Sequence, residues 1–362
     1  MAKKPEIDLM VFYTWGEASM GPKYDPDFGK EIEWDIPLLE GYNYRFLNNT
    51  SKDPGSHHFN GIINPSLNVE IEEWGPDVIW VWGWSFNSHL KALRYFKGKV
   101  PVWFRGDSTI LDEPIGFSLK KIIRRFFLKW VYSHVDKAFY VGTHNENYYL
   151  AHGLKSNQLV KAPHAIDNDR FSAEKEIYLT IQEELRIKLD IYKTDTVFLF
   201  AGKLESKKNP YFMLELAKQL TDGKYKFIIV GNGKLEKEIK MDAVNDNRIK
   251  FLDFQNQTMM PVLYRLASFY VMPSTGPGET WGLGLNEALA SGTPIIASNS
   301  CGGAIDLINS SNGYLLNLED PEYKALESWI DQFDINEFRN KNTGFLERFN
   351  YTQIIKQVTV EL

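Results

Sequence analysis

The stretch GETWGLGLNEALASGTP, at residues 278–294, tells most about the fold and about the ligand that the chain can bind. It combines a glycine-rich turn with a short helix and places Glu279 and Glu287 eight positions apart. Eight positions are a little over two helical turns, because one turn takes about 3.6 residues. If the helix begins near Trp281, both carboxylates face one cleft. Carboxylates only accept hydrogen bonds, so the pair suits a ligand with many hydroxyl donors, such as a sugar or a ribose.

Short apolar runs alternate with helical patterns on both sides of this stretch. A run such as 197–200 is apolar at every position, which is typical of parallel strands covered on both faces. We predict strands at 8–13, 77–83, 100–105, 137–142, 196–202, 226–231, 248–252, 268–273 and 294–298. We predict helices in the second half at 210–221, 233–242 and 281–291. The pattern indicates an α/β protein with parallel sheets.

The length of 362 residues fits about two domains. A turn-rich segment at 163–172 separates two series of strand–helix units, and eight of the ten tryptophans precede residue 171. We therefore predict one domain over residues 1–172 and a second over 173–345. The uneven distribution of tryptophan suggests that the two halves handle different ligands.

Composition excludes several classes of protein. The net charge of −6 gives no global reason to expect nucleic acid as a partner. A single cysteine, Cys301, excludes an internal disulfide framework and fits a reducing compartment. The first residues lack the apolar region of a signal peptide, and no stretch approaches the ~18 apolar residues of a membrane span. We expect a cytoplasmic protein.

Two lysines follow the strand at 196–202. Lys203 and Lys208 come after Gly202, at the carboxyl end of a strand, where open α/β sheets bind their ligands. Lysine acts as a point charge for phosphate, and a separation of about 4 Å is worth roughly 4 kcal/mol at an effective dielectric of ~20, before desolvation. The alternative is a solvated lysine cluster that opens a helix.

Two further glycine turns join strands to helices, at Gly231-Asn232-Gly233 and at Gly302-Gly303. Such turns expose backbone N–H groups, and the following helix adds about half a positive charge at its N-terminus. Either turn could hold a nucleotide base or a diphosphate. Glycine turns are also common in α/β proteins for reasons of chain geometry alone.

The order of these motifs resembles the donor-binding domain of the group 1 retaining glycosyltransferases over about residues 159–309. The resemblance implies the GT-B fold, in which two Rossmann-like domains face each other across a cleft and a C-terminal helix crosses back. The segment at about 346–362 resembles that helix, which would complete the first domain. Residues 1–158 match the family only in their alternation of strands and helices.

The resemblance also implies a role for each motif. Lys203 and Lys208 would bind the donor diphosphate, Glu287 the ribose, and Glu279 the transferred sugar. Further donor contacts would come from the glycine turns and from the start of the helix, at Gly202, Gly231, Asn232, Gly233, Trp281, Gly282 and Leu283. Asn209 replaces a glycine that often follows the second basic residue of the family.

The family implies a UDP- or GDP-sugar as donor, a glycan or lipid-linked acceptor, and no further cofactor. Asp167-Asn168-Asp169 and Asp25-Pro26-Asp27 mimic the metal motif of the other glycosyltransferase fold. The first belongs to the interdomain turn and the second to a proline-rich loop, so we predict no metal site and no metal requirement. His57-His58 is predicted to be part of a loop.

Trp80, Trp82 and Trp84 alternate at the end of the strand at 77–83, and a period of two puts them on one face. Core packing is the expectation for Trp80 and Trp82, whereas Trp84, past the strand end, could stack on a sugar. Asp107 is a candidate catalytic residue after the next strand. It could accept a sugar hydroxyl or help to deprotonate the acceptor, and it could equally cap the following segment.

The segment at 119–131 has the pattern of a basic amphipathic helix. Its apolar residues recur at three and four positions, among five basic residues, at Ile122, Ile123, Phe126, Phe127 and Trp130. Such a helix can lie on anionic lipid at the inner face of a membrane, which would fit a lipid-linked acceptor. The alternative is a helix that faces the core and solvates its basic side.

The resemblance implies a retaining glycosyltransferase, which we expect to be metal-independent, that acts in bacterial surface polysaccharide or glycolipid assembly. No side chain stands out as a covalent nucleophile, so the family mechanism of front-face attack is expected. Two alternatives share the fold. A nucleotide-sugar epimerase would need no acceptor, and a non-catalytic sugar-binding relative would have lost the lysine–glutamate set.

Overall fold

The computed structural model describes residues 1–17, 21–25, 28–113, 116, 118–173, 175–341 and 347–362. The chain divides into two compact units. The first comprises residues 1–23, 37–163 and 355–362, and the second comprises residues 24–36 and 164–354. The units separate between residues 163 and 164, whereas the predicted domain boundary after residue 172 stays a prediction.

The first unit is built on two parallel sheets. The strands of this unit are β1 (Met10–Tyr13), β4 (Asn43–Phe46), β5 (Ile79–Trp82), β6 (Val102–Arg105), β7 (Lys137–Tyr140) and β8 (Leu159–Lys161). Strands β2 (Lys23–Asp25) and β3 (Lys30–Ile32) form a separate two-stranded sheet, almost all of which lies in the segment 24–36 of the second unit. Strand β1 pairs with β4, and a four-stranded sheet has the order β5-β6-β7-β8. The helices here are Leu67–Trp74, Asn87–Phe96, Leu119–Tyr132 and Thr143–Ala151. Apolar side chains such as Leu93, Phe104 and Val131 form the buried core.

The second unit contains one six-stranded parallel sheet. Its strands are β9 (Thr196–Ala201), β10 (Tyr225–Val230), β11 (Ile249–Leu252), β12 (Phe269–Met272), β13 (Ile295–Ser298) and β14 (Gly313–Leu316), in the order β11-β10-β9-β12-β13-β14. Its helices are Asn168–Ser172, Glu176–Leu189, Tyr211–Gln219, Glu236–Asp242, Met260–Leu266, Leu283–Ala290, Ala304–Leu307, Tyr323–Gln332 and Ile335–Lys341. Phe198 stacks between Phe227 and Phe269 in the core, with ring centroids 5.3 and 5.6 Å away.

All nine predicted strands occur in the described residues, with bounds within about two residues, and five short strands (β2, β3, β4, β8 and β14) were not predicted. The three predicted helices of the second half also occur. The last of them begins at Leu283 and not near Trp281, because Gly282 takes a left-handed conformation with φ 89° just before it. Glu279 therefore lies in the turn, and only Glu287 lies on the helix.

The C-terminal helix, Tyr351–Glu361, begins among residues of the second unit and ends among residues of the first. Val358 is fully buried, and Glu361 forms an ion pair with Lys137 on β7 of the first unit. These contacts attach the end of the chain to the first unit, as expected for the crossover helix of the fold.

Candidate functional site

The sheet of the second unit reverses its strand order between β9 and β12. Strands β10 and β11 lie on one side of β9, whereas β12, β13 and β14 follow on the other. The connections leave such a sheet in opposite directions at this point, which opens a crevice at the carboxyl ends of the two strands. Ligands of open α/β sheets bind in that crevice, so residues that follow β9 and β12 are the first candidates.

The chain after β9 brings the two predicted lysines to this edge. Gly202 and Lys203 follow the strand directly, and a 3₁₀ turn at Ser206–Lys208 presents the second lysine. Asn209 ends that turn in a left-handed conformation with φ 51°. Asparagine is one of the few residues other than glycine that tolerates this conformation, which explains why it can stand where relatives often have glycine.

Lys208 and Glu279 meet across the crevice. Their side chains form an ion pair, and the Ser274 hydroxyl, after β12, donates a hydrogen bond to the same carboxylate oxygen at 3.1 Å. Only 11% of the Glu279 side chain and 26% of the Lys208 side chain are exposed. Glu279 is therefore neither a helix cap nor a solvated acid. Ser274 is fully buried and was not among the predicted site residues, although Pro273-Ser274 is one of the motifs that resemble the family.

Lys203 also has a carboxylate partner. Its ammonium lies 3.0 Å from a carboxylate oxygen of Asp25 and 5.2 Å from the centre of the Phe28 ring. Only a quarter of the Lys203 side chain is exposed. The alternative of a solvated lysine cluster is thus wrong for Lys203 and Lys208, although their neighbour Lys207 is nearly half exposed.

Glu287, on the helix Leu283–Ala290, is half-buried and is therefore not an exposed helix residue. The hydroxyl of Tyr264, itself fully buried, donates a hydrogen bond of 2.8 Å to its carboxylate. Burial raises the pKa of Glu287 to about 7, and the hydrogen bond from Tyr264 offsets only part of that effect. Burial, and then the charges of Glu287 and Glu279, raise the pKa of the Tyr270 hydroxyl.

In the predicted glycine turn at 231–233, the backbone of a neighbouring loop lies so close that a side chain would not fit. A Cβ atom at Gly231, which has φ 133°, would lie 2.0 Å from the carbonyl oxygen of Gly202. Asn232 donates hydrogen bonds of 3.0 Å to Glu236 and to Asp253. The side chain of Asn232 therefore braces the loop. Gly233 likewise lies against the backbone of the preceding loop, 2.6 Å from a carbonyl oxygen when a Cβ is built there.

The start of the helix Leu283–Ala290 is also set by packing. The Trp281 ring is buried, and its Nε1–H donates to Asn286 at 2.7 Å. Leu283, the first helical residue, is exposed, and no side chain caps the Gly282 position before it. This end of the helix therefore presents backbone near the Glu279 turn, where the resemblance expects phosphate or sugar.

Asp107 follows β6 in the first unit and is exposed. The neighbouring Arg105 is buried and donates a hydrogen bond of 2.8 Å to the carbonyl oxygen of Ala162, and burial lowers the pKa of its guanidinium. Exposure leaves Asp107 accessible to an acceptor, and its catalytic role stays a prediction.

The expectation of core packing is wrong for Trp82. Its side chain is 60% exposed at the end of β5, with the Arg105 guanidinium 5.3 Å from the ring centre. Trp80 is half-buried between aromatic rings, 4.7 Å from that of Phe139. Trp84, the predicted sugar-stacking residue, packs at 5.4 Å against Phe127. Strand alternation predicts that these rings share one face of the sheet. It does not show whether other side chains cover that face at the end of β5, where Trp82 is exposed.

The side of the helix Leu119–Tyr132 that is buried differs from the apolar side predicted from the sequence. Its buried residues are Leu128, Val131 and Tyr132. The exposed apolar residues are Leu119, Ile123, Phe126, Phe127 and Trp130, among which Ile123 and Phe126 are 68% and 71% exposed. The helix thus faces the core with one side and exposes most of its basic residues, but most of the predicted apolar stripe is exposed as well; membrane contact stays a prediction.

The two motifs that mimic a metal site have other partners. Asp167 caps the helix Asn168–Ser172 and accepts a hydrogen bond from the Arg170 N–H, whereas Pro26 and Asp27 lie outside the described residues. Within the described part of the chain, one group could hold a cation: the loop side chains of Asp53, His57 and His58, of which the first two are exposed, with ligand atoms within 4.8 Å of one another. In the same part, no helix is long and apolar enough to cross a bilayer.

Comparison with known proteins gives one family. Residues 181–343 match the model of the family described as glycosyl transferases group 1. Over 140 residues the chain is 29% identical to the Escherichia coli UDP-Gal:alpha-D-GlcNAc-diphosphoundecaprenol alpha-1,3-galactosyltransferase, which covers 36% of this chain and 35% of that enzyme. The chain spans about a third to a half of the length of the first curated relatives that it matches.

Solved structures resemble almost the whole chain. Anabaena HepE in complex with UDP superposes with a TM-score of 0.68 at 17% identity, over 89% of this chain and 86% of that one. WaaG, a glycosyltransferase involved in lipopolysaccharide biosynthesis, superposes with a TM-score of 0.62 at 13% identity, over 97% and 91%. Residues 181–343 therefore belong to the group 1 glycosyltransferases, and the chain has the GT-B fold of these structural neighbours.

Proposed function

We propose that this protein transfers a sugar from a nucleotide-sugar donor to an acceptor hydroxyl, with retention of the anomeric configuration. One observation carries the proposal. Lys208 and Glu279 meet, with Lys203 close by in sequence, at the crevice where the strand order of the second unit reverses. Cations at this place suit a diphosphate, and a carboxylate beside them suits sugar hydroxyls.

The proposed chemistry is mainly electrostatic. As the bond between the sugar and the diphosphate breaks, negative charge develops on the leaving phosphate, and Lys203 and Lys208 would stabilise it. Glu279 would accept hydrogen bonds from the transferred sugar. The acceptor would attack from the face that the diphosphate leaves, and the departing phosphate oxygen would take its proton. Asp107 is the candidate for a further contact to the acceptor.

Glu287 fits the ribose. A carboxylate that accepts hydrogen bonds from two ribose hydroxyls is favoured in its ionised form. Because burial raises the pKa of Glu287 to about 7, ribose binding should release a proton near neutral pH. We therefore infer that donor affinity falls as the pH drops below about 7. The structural neighbour HepE is described in complex with UDP, which supports UDP as the first nucleotide to test.

Calorimetric titration with UDP, GDP, ADP and dTDP tests the donor site. We expect micromolar binding of one nucleotide to the unmodified protein and loss of that binding in the Lys203→Ala/Lys208→Ala variant. Lys207→Ala is the matched control, because this lysine lies in the same turn, is more exposed and pairs with Glu205. EDTA should leave binding and turnover intact. Failure of all four nucleotides to bind, or equal loss in the control, would count against the assignment.

An acceptor on a lipid is supported by the outward stripe of the helix Leu119–Tyr132. Residues 119, 123, 126 and 130 are three and four positions apart, so they share one side of the helix. Basic residues flank that stripe at Lys120, Arg124, Arg125 and Lys129. An apolar ridge between cations complements the surface of an anionic bilayer, where each cation contributes roughly 1 kcal/mol. We therefore infer peripheral contact with the inner face of a membrane.

Sedimentation with vesicles that contain phosphatidylglycerol tests this contact. Ile123→Ser/Phe126→Ser should reduce the bound fraction at low salt, while nucleotide binding is unchanged. Val69→Ser is the control, because Val69 is an exposed apolar residue on another helix of the same unit. If the unmodified protein stays in the supernatant at low salt, membrane contact through this helix is refuted.

A further inference from the structure

We propose that Asp25 belongs to the donor site and sets how tightly a nucleoside diphosphate binds. In this inference, which rests on the proposed function, the Asp25 carboxylate holds the Lys203 ammonium until a phosphate takes its place. The acid would thus act as an internal competitor of the donor.

Residues 24–36 belong to the second unit, although the chain before and after them belongs to the first. The far end of this segment is attached to the loop that follows β11. The Asn256 side chain donates a hydrogen bond of 2.5 Å to the Glu33 carbonyl oxygen, and the Thr258 hydroxyl and N–H both donate to the Asp35 carboxylate. The segment is therefore held at a fixed place on the second unit, beside the carboxyl end of its sheet.

The near end of the segment covers Lys203. The Phe28 ring packs edge to face against Phe254, with centroids 5.0 Å apart, and the Lys203 ammonium lies 5.2 Å from the centre of the Phe28 ring. Phe254 is in turn fixed by its N–H, which donates to Asn232 at 2.8 Å. The aromatic pair thus connects the segment to a glycine turn that the family resemblance assigns to the donor site.

Two contacts of the Asp25 carboxylate depend differently on its negative charge. One oxygen accepts the N–H of Phe28 at 3.1 Å, which closes the turn of the segment. Both oxygens lie close to the Lys203 ammonium, at 3.1 and 3.0 Å. The first contact needs only an oxygen acceptor, whereas the second depends on the negative charge. The two contacts can therefore be separated by replacing the aspartate with asparagine.

A diphosphate should displace this carboxylate. It carries more negative charge than a carboxylate and offers more acceptor oxygens to the same ammonium. The apparent affinity for the diphosphate is then reduced by the fraction of molecules in which Asp25 holds the lysine. A ligand without phosphate does not compete for the ammonium and should be indifferent to Asp25.

Calorimetry with UDP and GDP on Asp25→Asn tests the inference. Because the ion pair is partly exposed, we expect the bound nucleotide to tighten by about two- to fivefold, as for the loss of a partly solvated pair. Glu33→Gln is the matched control. It removes one negative charge from the same segment, but only the backbone carbonyl of Glu33 has a described contact, so affinity should stay unchanged. Uridine and guanosine should bind the Asp25→Asn variant and the unmodified protein equally.

The outcomes separate this inference from the proposed function. Unchanged or weaker binding of the diphosphate to Asp25→Asn, with normal binding to the unmodified protein, would overturn the role of Asp25 and leave the donor site in place. If Glu33→Gln increased the affinity for the diphosphate as much as Asp25→Asn does, the effect would come from long-range charge. That result would also overturn the role of Asp25. If neither UDP nor GDP binds the unmodified protein, both the inference and the proposed function fail.

Discussion

The buried carboxyl of Glu287 gives the sharpest prediction, because it links stability to pH. Its carboxylate accepts a hydrogen bond from Tyr264, and burial raises its pKa to about 7 from an ordinary value of 4.5. The variant Glu287→Gln keeps an oxygen that can accept the Tyr264 hydroxyl and removes the ionisation. Comparison of the two proteins over pH therefore isolates the free energy of placing a negative charge at this position.

The sign and the size follow from proton linkage. Below pH ~4.5 the carboxyl is protonated in the folded and the unfolded chain, so its ionisation has no effect on stability. Between pH ~4.5 and ~7 only the unfolded chain releases the proton, and the free energy of unfolding falls as the pH rises. Above pH 7 the loss is constant at ~3 kcal/mol, since a pKa higher by about 2.5 corresponds to that free energy at 1.36 kcal/mol per unit.

Urea unfolding at pH 5 and at pH 8 measures this effect. The amide of glutamine brings a buried N–H₂ group that costs ~1 kcal/mol at either pH, so the informative quantity is the change in the difference between the two proteins. We expect the variant to gain about 2.5 kcal/mol relative to the unmodified protein between pH 5 and pH 8. Glu319→Gln, at an exposed position, should show no such change. If the difference in the free energy of unfolding between the two proteins were the same at pH 5 and at pH 8, the raised pKa of Glu287 would be refuted.

Three other expectations can be tested directly. Lys208→Ala and Glu279→Ala should each lower turnover by at least ~10²-fold without loss of folding, and near-normal rates in both would remove the site assignment. Gly302→Ala should lower the melting temperature, since its Cβ would lie 1.9 Å from a carbonyl oxygen, whereas Gly223→Ala meets no atom within 4 Å and should not. Trp82→Ala should raise the KM for the acceptor while nucleotide affinity and melting temperature stay unchanged, because the ring is exposed; a normal KM would exclude it from the acceptor site.

The sequence predicted five of the six strands of the sheet in the second unit and indicated the edge at which we propose the donor site. Apolar runs such as 197–200 have few alternatives to buried strands, and glycine turns with charged residues mark their carboxyl ends. Strands β2, β3 and β8 escaped prediction because three residues are too few to show a period, and β4 did so because its sequence, NYRF, is not an apolar run; predicted strands of four residues such as β12, FYVM, are apolar throughout. The helix start was placed too early because the left-handed turn at Gly282 depends on its surroundings.

Other parts of the site could not be predicted because their contacts join distant positions. Asp25 and Lys203 are 178 residues apart, and the sequence around either residue does not predict their ion pair. The stripe on the helix Leu119–Tyr132 shows a different limit. The sequence shows the period of its apolar residues. Periodicity identifies an apolar side of a helix, but it does not tell whether the protein core covers that side or whether it is exposed. The same limit applies to Trp82 at the end of β5.

The charges at the crevice argue for a ligand more strongly than their residue types do. A buried or half-buried carboxylate costs free energy, and an apolar residue of the same size would usually serve the fold as well or better. Glu279 and Glu287 both occupy such positions, the first against Lys208 and the second against a tyrosine that only partly offsets its burial. Packing alone gives no reason to keep either acid. A nucleotide sugar would use both of them, together with Lys208, which Glu279 now holds in place.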